Sequence, residues 1–227
     1  MSILVIQHDS DKGLGLFAQP LADAALEVDI CFAGHGELEL GDHHTAVIAL
    51  PGVANPVDET PAVVSTREVL REALARGVPV LGICLGAELL AEAAGARTSA
   101  CPPEWGYCEV ALQPAAREDG LLADLPERFG VFQAHNYGFE LPPGAVALAG
   151  SPGAVQAFRV GSSAWGIQFH PEPTLEMLDA WTTALGAVMQ ANGVDPEVTR
   201  RLGRRYVPVW SEHAAAMTRR FAAVVAA

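Results

Sequence analysis

Pro79-Val80-Leu81-Gly82-Ile83-Cys84-Leu85-Gly86-Ala87-Glu88 joins a run of apolar β-formers to a stretch of helix formers, with a cysteine at the junction. Val78 to Ile83 reads as a buried strand, and Leu85 to Ala94 as a helix stopped by Gly95. Gly82 and Gly86 stand two residues either side of Cys84. A sharp strand-to-helix turn needs such small residues, because its two elements approach closely and its apex is strained. At the first turn of a helix, the backbone dipole favours a Cys84 thiolate over the thiol. In an open α/β sheet that point is also the carboxyl end of a strand, where ligands bind. Taken by itself, G-x-C-x-G suits a buried core cysteine equally well.

Outward toward the N-terminus, strand and helix patterns alternate. Ile3 to Gln7, Val28 to Phe32 and Ala46 to Leu50 are apolar runs of strand length. A Gly-marked turn and an amphipathic stretch, Leu16 to Ala25, separate the first two, and Thr66 to Arg76 reads as a helix ending at Gly77. Strands spaced by helices imply parallel pairing, right-handed crossovers and helices on both faces. The fold expected is therefore α/β, with an open, mostly parallel central sheet. After Gly95 the texture changes to successive strands between Pro/Gly turns: Tyr107 to Leu112, Gly130 to Gln133, Ala145 to Ala149, Val155 to Val160 and Ala164 to Phe169. The last part, Thr174 to Asn192 and Glu197 to Val225, reads as helical and is punctuated by Pro196 and Pro208. With no repeat or long linker, residues 1–227 read as one domain with a helical C-terminal extension at about 193–227.

Half of the 227 residues are hydrophobic, enough for a large core. A net charge of −13 leaves too few basic residues for a nucleic-acid surface. Ile3-Leu4-Val5-Ile6 lacks a basic lead and reads as a core strand, not a secretory leader, and no apolar run has membrane-spanning length. The four cysteines form no CxxC pair, so a reducing cytoplasm is the expected home. His43-His44 after Asp42 lacks further clustered ligands, so a solvated turn is expected there and no metal site.

Gly166-Ile167-Gln168-Phe169-His170-Pro171-Glu172-Pro173 supplies a partner for the cysteine. The prolines bias His170 and Glu172 toward extended backbone, and an extended i, i+2 pair projects to one side. A carboxylate placed so holds the imidazole tautomer and stabilises imidazolium. Together, G-I-C-L-G at 82–86 and Q-F-H-P-E at 168–172 resemble the paired motifs of the class I glutamine amidotransferases, over about residues 3 to 190. The resemblance implies a flavodoxin-like sheet and a triad of Cys84 as nucleophile, His170 as base and Glu172 as orienter. It implies an oxyanion hole from the backbone N–H groups of Gly52 and Leu85, although Val53 and Ala54 stand where proline or glycine is usual.

Ala134-His135-Asn136-Tyr137-Gly138-Phe139 resembles the N-H-G-F segment that binds glutamine in the carbamoyl-phosphate-synthetase branch of the family, which implies substrate contacts from backbone groups at Asn136, Gly138 and Phe139. Asn-Tyr-Gly is also good turn chemistry. Glu104-Trp105-Gly106-Tyr107 resembles the E-x-G-W segment beside the site, or equally a strand opening. Glu88 departs from the family, which has glutamine four residues after the nucleophile. A carboxylate keeps an acceptor for an ammonium group, loses the amide donor and repels a thiolate.

The chemistry implied is cofactor-free hydrolysis of glutamine, or of a related γ-glutamyl compound, through a γ-glutamyl thioester. One version supplies ammonia to a separate synthetase subunit; the other is a free-standing γ-glutamyl hydrolase or peptidase, which Glu88 favours. A non-catalytic regulatory module is a third reading, against which the complete triad argues.

Overall fold

In the computed structural model, which describes residues 1–36, 38–152 and 154–227, β1 (Ser2–Gln7) sends Ile3 and Val5 to one face and Leu4 and Ile6 to the other. That is the period-two consequence of strand geometry, and both faces are covered. Beside it lie β2 (Glu27–Phe32), β3 (His44–Ala49) and β4 (Val80–Ile83), then β5 (Thr98–Leu112), β6 (Arg128–Phe139), β7 (Val146–Ser151), β8 (Ala154–Val160) and β9 (Ala164–Ile167). The nine-stranded sheet has the order β2-β1-β3-β4-β9-β8-β7-β5-β6. Pairings from β2 to β9 are parallel, and those from β9 to β6 antiparallel.

The helices are α1 (Ala18–Asp23), α2 (Pro61–Arg76), α3 (Leu85–Ala93), α4 (Leu175–Ala184), α5 (Gly186–Ala191) and α6 (Pro196–Val225). Helices α2 and α3 cover the Leu4/Ile6 face, while α1 and α6 cover the Ile3/Val5 face, to which α6 contributes Trp210, Met217 and Phe221. Among the described residues no helix is long and apolar enough to cross a membrane.

Some boundaries differ from the sequence expectation, each for a local reason. Helix α2 starts at Pro61 rather than Thr66, because the Thr60 side chain caps Val63 N–H and proline suits the first helical position. Strand β5 begins at Thr98, well before Tyr107; Pro102 and Pro103 fall in an irregularity of its pairing with β6, where no ladder donor is required. Strand β6 continues past Gln133 to Phe139, so Tyr137 and Gly138 pair with Ala100 and Ser99, and Asn-Tyr-Gly is strand, not turn. Helix α6 runs through Pro208, which is exposed together with Arg204, so water reaches the carbonyl that proline leaves unbonded.

Candidate active site

Cys84 has φ 50° and ψ −109°, a left-handed conformation that costs a non-glycine residue energy and persists only when its surroundings enforce it. The enforcement is visible. A Cβ on Gly82 would lie 2.5 Å from the Gly86 carbonyl oxygen, and one on Gly86 would fall on the carbonyl oxygen of Ala49. Strand β4 therefore turns into α3 with no room for a side chain at Gly82 or Gly86. Its own amide is anchored across the sheet, donating to Ile167 O at 2.8 Å.

The pairing of β9 with β4 brings the second motif beside the first. His170 N–H donates to Phe132 O at 3.0 Å, which fixes the chain as it leaves β9. The His170 Nδ1 lies 2.8 Å from Glu172 Oε1; His170 is 5% exposed and Glu172 0%. Nε2 of His170 and Oε2 of Glu172 are buried with no hydrogen-bond partner among the described residues. Behind the pair, the Glu172 carbonyl accepts Leu16 N–H at 2.8 Å. Gly15 (φ 50°) passes so close that a Cβ there would fall on that same oxygen.

Cys84 and His170 open into one cavity of about 220 Å³ at the carboxyl ends of the parallel strands. Gly52, Leu85, Glu88 and Asn136 line it; Gly138 and Phe139 are not among its lining residues. Phe139 instead packs edge-on against Phe158 with ring centroids 5.0 Å apart, and Gly138 stands beside Cys101. Gly52 touches the nucleophile turn so closely that a Cβ would lie 2.6 Å from Leu85 Cδ2. With Val53 and Ala54 in place of proline or glycine, the loop is held instead by Val53 N–H donating to Asp9 Oδ2 at 2.8 Å.

A sequence profile described as Glutamine amidotransferase class-I matches residues 21–184. The chain belongs to that family. The glutamine-hydrolyzing GMP synthase from Aeropyrum pernix is 40% identical over 119 residues, 49% of this chain and 23% of its own length. The glutamine-hydrolyzing GMP synthase subunit from Saccharolobus solfataricus is 39% identical over 99 residues, 42% of this chain and 51% of the relative. The chain therefore spans about half or less of the length of these relatives. A glutamine amidotransferase structure from Thermotoga maritima superposes with a TM-score of 0.88 at 24% identity, covering 98% of both chains, which shows the shared fold.

In this class-I amidotransferase site the electrostatics depart from the sequence expectation of a thiolate. Burial pushes the Cys84 thiol well up, the charges of Glu88 and Glu172 push it further, and Leu85 N–H and Lys12 pull the other way without prevailing. The helix terminus contributes as expected, but desolvation outweighs it. Glu88 is 3% exposed and faces the cavity rather than solvent. Burial pushes its carboxyl up to about 7, against the Gln168 hydrogen bond and the positive side of His135, both of which favour the anion.

Four further features in or beside the cavity were missed in the sequence. Gln168 Nε2 donates to Glu88 Oε1 at 3.0 Å and to Cys84 Sγ at 3.8 Å. It lies two residues before His170, so strand alternation was the available signal. Lys12 is 8% exposed, with Nζ 2.9 Å from Asp11 and 3.7 Å from Asp9. Trp181 stands edge-on to His170 at 5.3 Å between centroids. Lastly, His135 Nε2 lies 3.2 Å from Glu104 Oε2. Burial lowers the His135 pKa, but Cys101 and Glu104 outweigh it and hold the imidazole at about 9. Glu104 also accepts from Gln156 at 2.6 Å, and Gln156 accepts from Gln133 at 2.7 Å, so the E-W-G-Y segment roots a buried polar chain.

Away from the cavity, parallel pairing brings Asp29 to His43 and His44, a third donor that the sequence did not place there. Gly41 N–H donates to His44 Nδ1 at 3.0 Å, which assigns the ring proton to Nε2, facing Asp29 Oδ2 at 3.3 Å.

Proposed function

We propose that the protein hydrolyses the side-chain amide of glutamine or a related γ-glutamyl compound through a thioester on Cys84. His170 Nε2 takes the thiol proton as the sulfur attacks the carbonyl, and Glu172 stabilises the imidazolium. Gly52 and Leu85 N–H groups receive the developing oxyanion. Collapse breaks the C–N bond, His170 returns the proton to the departing nitrogen, and water then cleaves the thioester to release glutamate. These steps use no metal or organic cofactor. The observation carrying this reading is the strained Cys84 sharing a cavity with an imidazole bonded to Glu172 through Nδ1 and free at Nε2. Rapid acid quench with intact-mass detection tests the reading: the wild type accumulates a γ-glutamyl adduct, and Cys84→Ala shows none while remaining folded. A Cys84→Ala protein active within about tenfold of wild type would falsify the scheme.

Two versions differ in where the nitrogen goes. Similarity to the Saccharolobus GMP synthase subunit supports a separate synthetase that takes up ammonia. The buried Glu88 in the cavity wall supports a free-standing hydrolase acting on a conjugate, since its carboxylate offers acceptors where the family has an amide. Ammonia release from glutamine, compared with amine release from γ-glutamyl amides, separates them.

A further inference from the structure

Proton transfer from His170 Nε2 requires the leaving nitrogen to lie on the His170 side of the cavity. Apart from Lys12, whose Nζ lies 5.8 Å from the Trp181 ring centroid, that side is apolar. Trp181, Leu185 and Val188 stand at i, i+4 and i+7 across α4 and α5, one stripe of a continuing helical path, with Leu185 N–H donating to Trp181 O at 2.8 Å. All three line the cavity, and the stripe begins at the Trp181 ring that stands against His170. The Val53-to-Pro56 loop, also part of the lining, adds Val53, Ala54 and Pro56 beside the Asn55 amide. Val53 is 65% exposed and Val188 42%, so apolar surface continues to the cavity mouth. Ammonia leaving from free glutamine has no carbon to touch this surface.

We propose that the site takes γ-glutamyl amides whose amine portion carries an apolar body, seated along Trp181, Leu185 and Val188. This inference rests on the thioester reading above and adds the leaving-group class to it. Burying hydrocarbon beside the scissile bond stabilises the transition state for such a conjugate and gives nothing to glutamine.

The test compares γ-glutamyl-n-butylamide with γ-glutamyl-methylamide, whose amines are of near-equal basicity, so that proton transfer makes the same demand in both. The expected result is a kcat/KM at least about tenfold higher for the butylamide, the scale of added methylenes in an apolar pocket. Val188→Asp should bring the butyl-to-methyl ratio toward one. Val53→Asp, at a more exposed position, should do so in part, and it serves as the second variant if the first fails to fold. A wild-type ratio near one, or a butyl preference untouched by both variants, overturns the inference. Faster turnover of free glutamine than of the butylamide also overturns it, and assigns the stripe to a covering protein. Acid-quench mass spectrometry separates the two levels. Thioester formed equally fast from both amides sinks the leaving-group inference alone; no thioester from any substrate sinks the chemistry as well.

Discussion

On the parallel side of the cavity, position is imposed by backbone. Cys84 is held in a left-handed turn between two glycines that leave no space, and the Gly15 backbone passes directly against the Glu172 carbonyl. On the antiparallel side, position is imposed by side chains: Gln133, Gln156, Glu104 and His135 hold one another through a buried polar chain behind the wall containing Trp105 and Asn136. Backbone constraint admits one geometry, whereas a polar chain can be retuned by a single substitution. We therefore expect changes on the parallel side to remove chemistry and changes on the other side to shift selectivity or titration.

The sharpest way to break that contrast is Glu172→Gln, which keeps shape but loses the charge that stabilises imidazolium. A fall in kcat of about 10³- to 10⁴-fold is expected, with a smaller change in KM, read from steady-state kinetics. Unaltered kcat would place the orienter elsewhere. Next in size is Gly15→Ala. Its Cβ meets the Glu172 carbonyl, so the turn must shift, and a displacement near 1 Å costs about 10²-fold in kcat. Wild-type kcat in a crystallographically unshifted turn would show that the close approach is not needed.

Glu88 lies where the two regions meet, because its helix belongs to the parallel half and its carboxyl faces the cavity. Glu88→Gln should raise kcat/KM for glutamine relative to a γ-glutamyl amide by roughly ten- to hundredfold, the scale of one hydrogen bond to a charged group. Equal changes for both substrates would remove Glu88 from specificity. The same variant has a stability signature. A carboxyl held up to about 7 in the fold, against an ordinary 4.5, keeps its proton longer when folded than when unfolded. Its stabilising contribution is complete below about 4.5 and is lost as pH rises through about 7, on the order of 3 kcal/mol. Urea unfolding should show wild-type stability declining across that window, and a flatter profile for Glu88→Gln. Parallel profiles would mean that Glu88 titrates normally.

The smallest effect expected is on the antiparallel side. Glu104→Gln removes the charge beside His135, so the imidazole should titrate below its present value of about 9, followed by ring-proton NMR. Turnover should change much less than for Glu172→Gln. A His135 titration that stays at about 9 would assign the shift to Cys101 instead.

The parallel half was largely legible because each of its elements reports itself locally. Gly82 and Gly86 flank a cysteine because a Cβ at either would strike backbone, and strand periodicity alternates with helix periodicity on both sides of them. The antiparallel half was less legible. Pro102 and Pro103 disguise the start of β5, and Asn136-Tyr137-Gly138 carries turn composition inside a paired strand. Turn propensity there yields to pairing with Thr98–Ala100, a long-range term that no local window contains.

By itself, then, the sequence determined the strained turn, the adjacency of His170 and Glu172, and the layered α/β order, because these follow from spacing and from steric rules acting over a few residues. Tertiary structure decided which groups meet in and around the cavity. Gln168 reaches Glu88 from 80 positions away, Trp181 stands against His170, and Lys12 enters from the end of β1. It also decided the direction in which the cysteine pKa moves, since desolvation depends on everything packed around a group, and here burial outweighs the helix terminus.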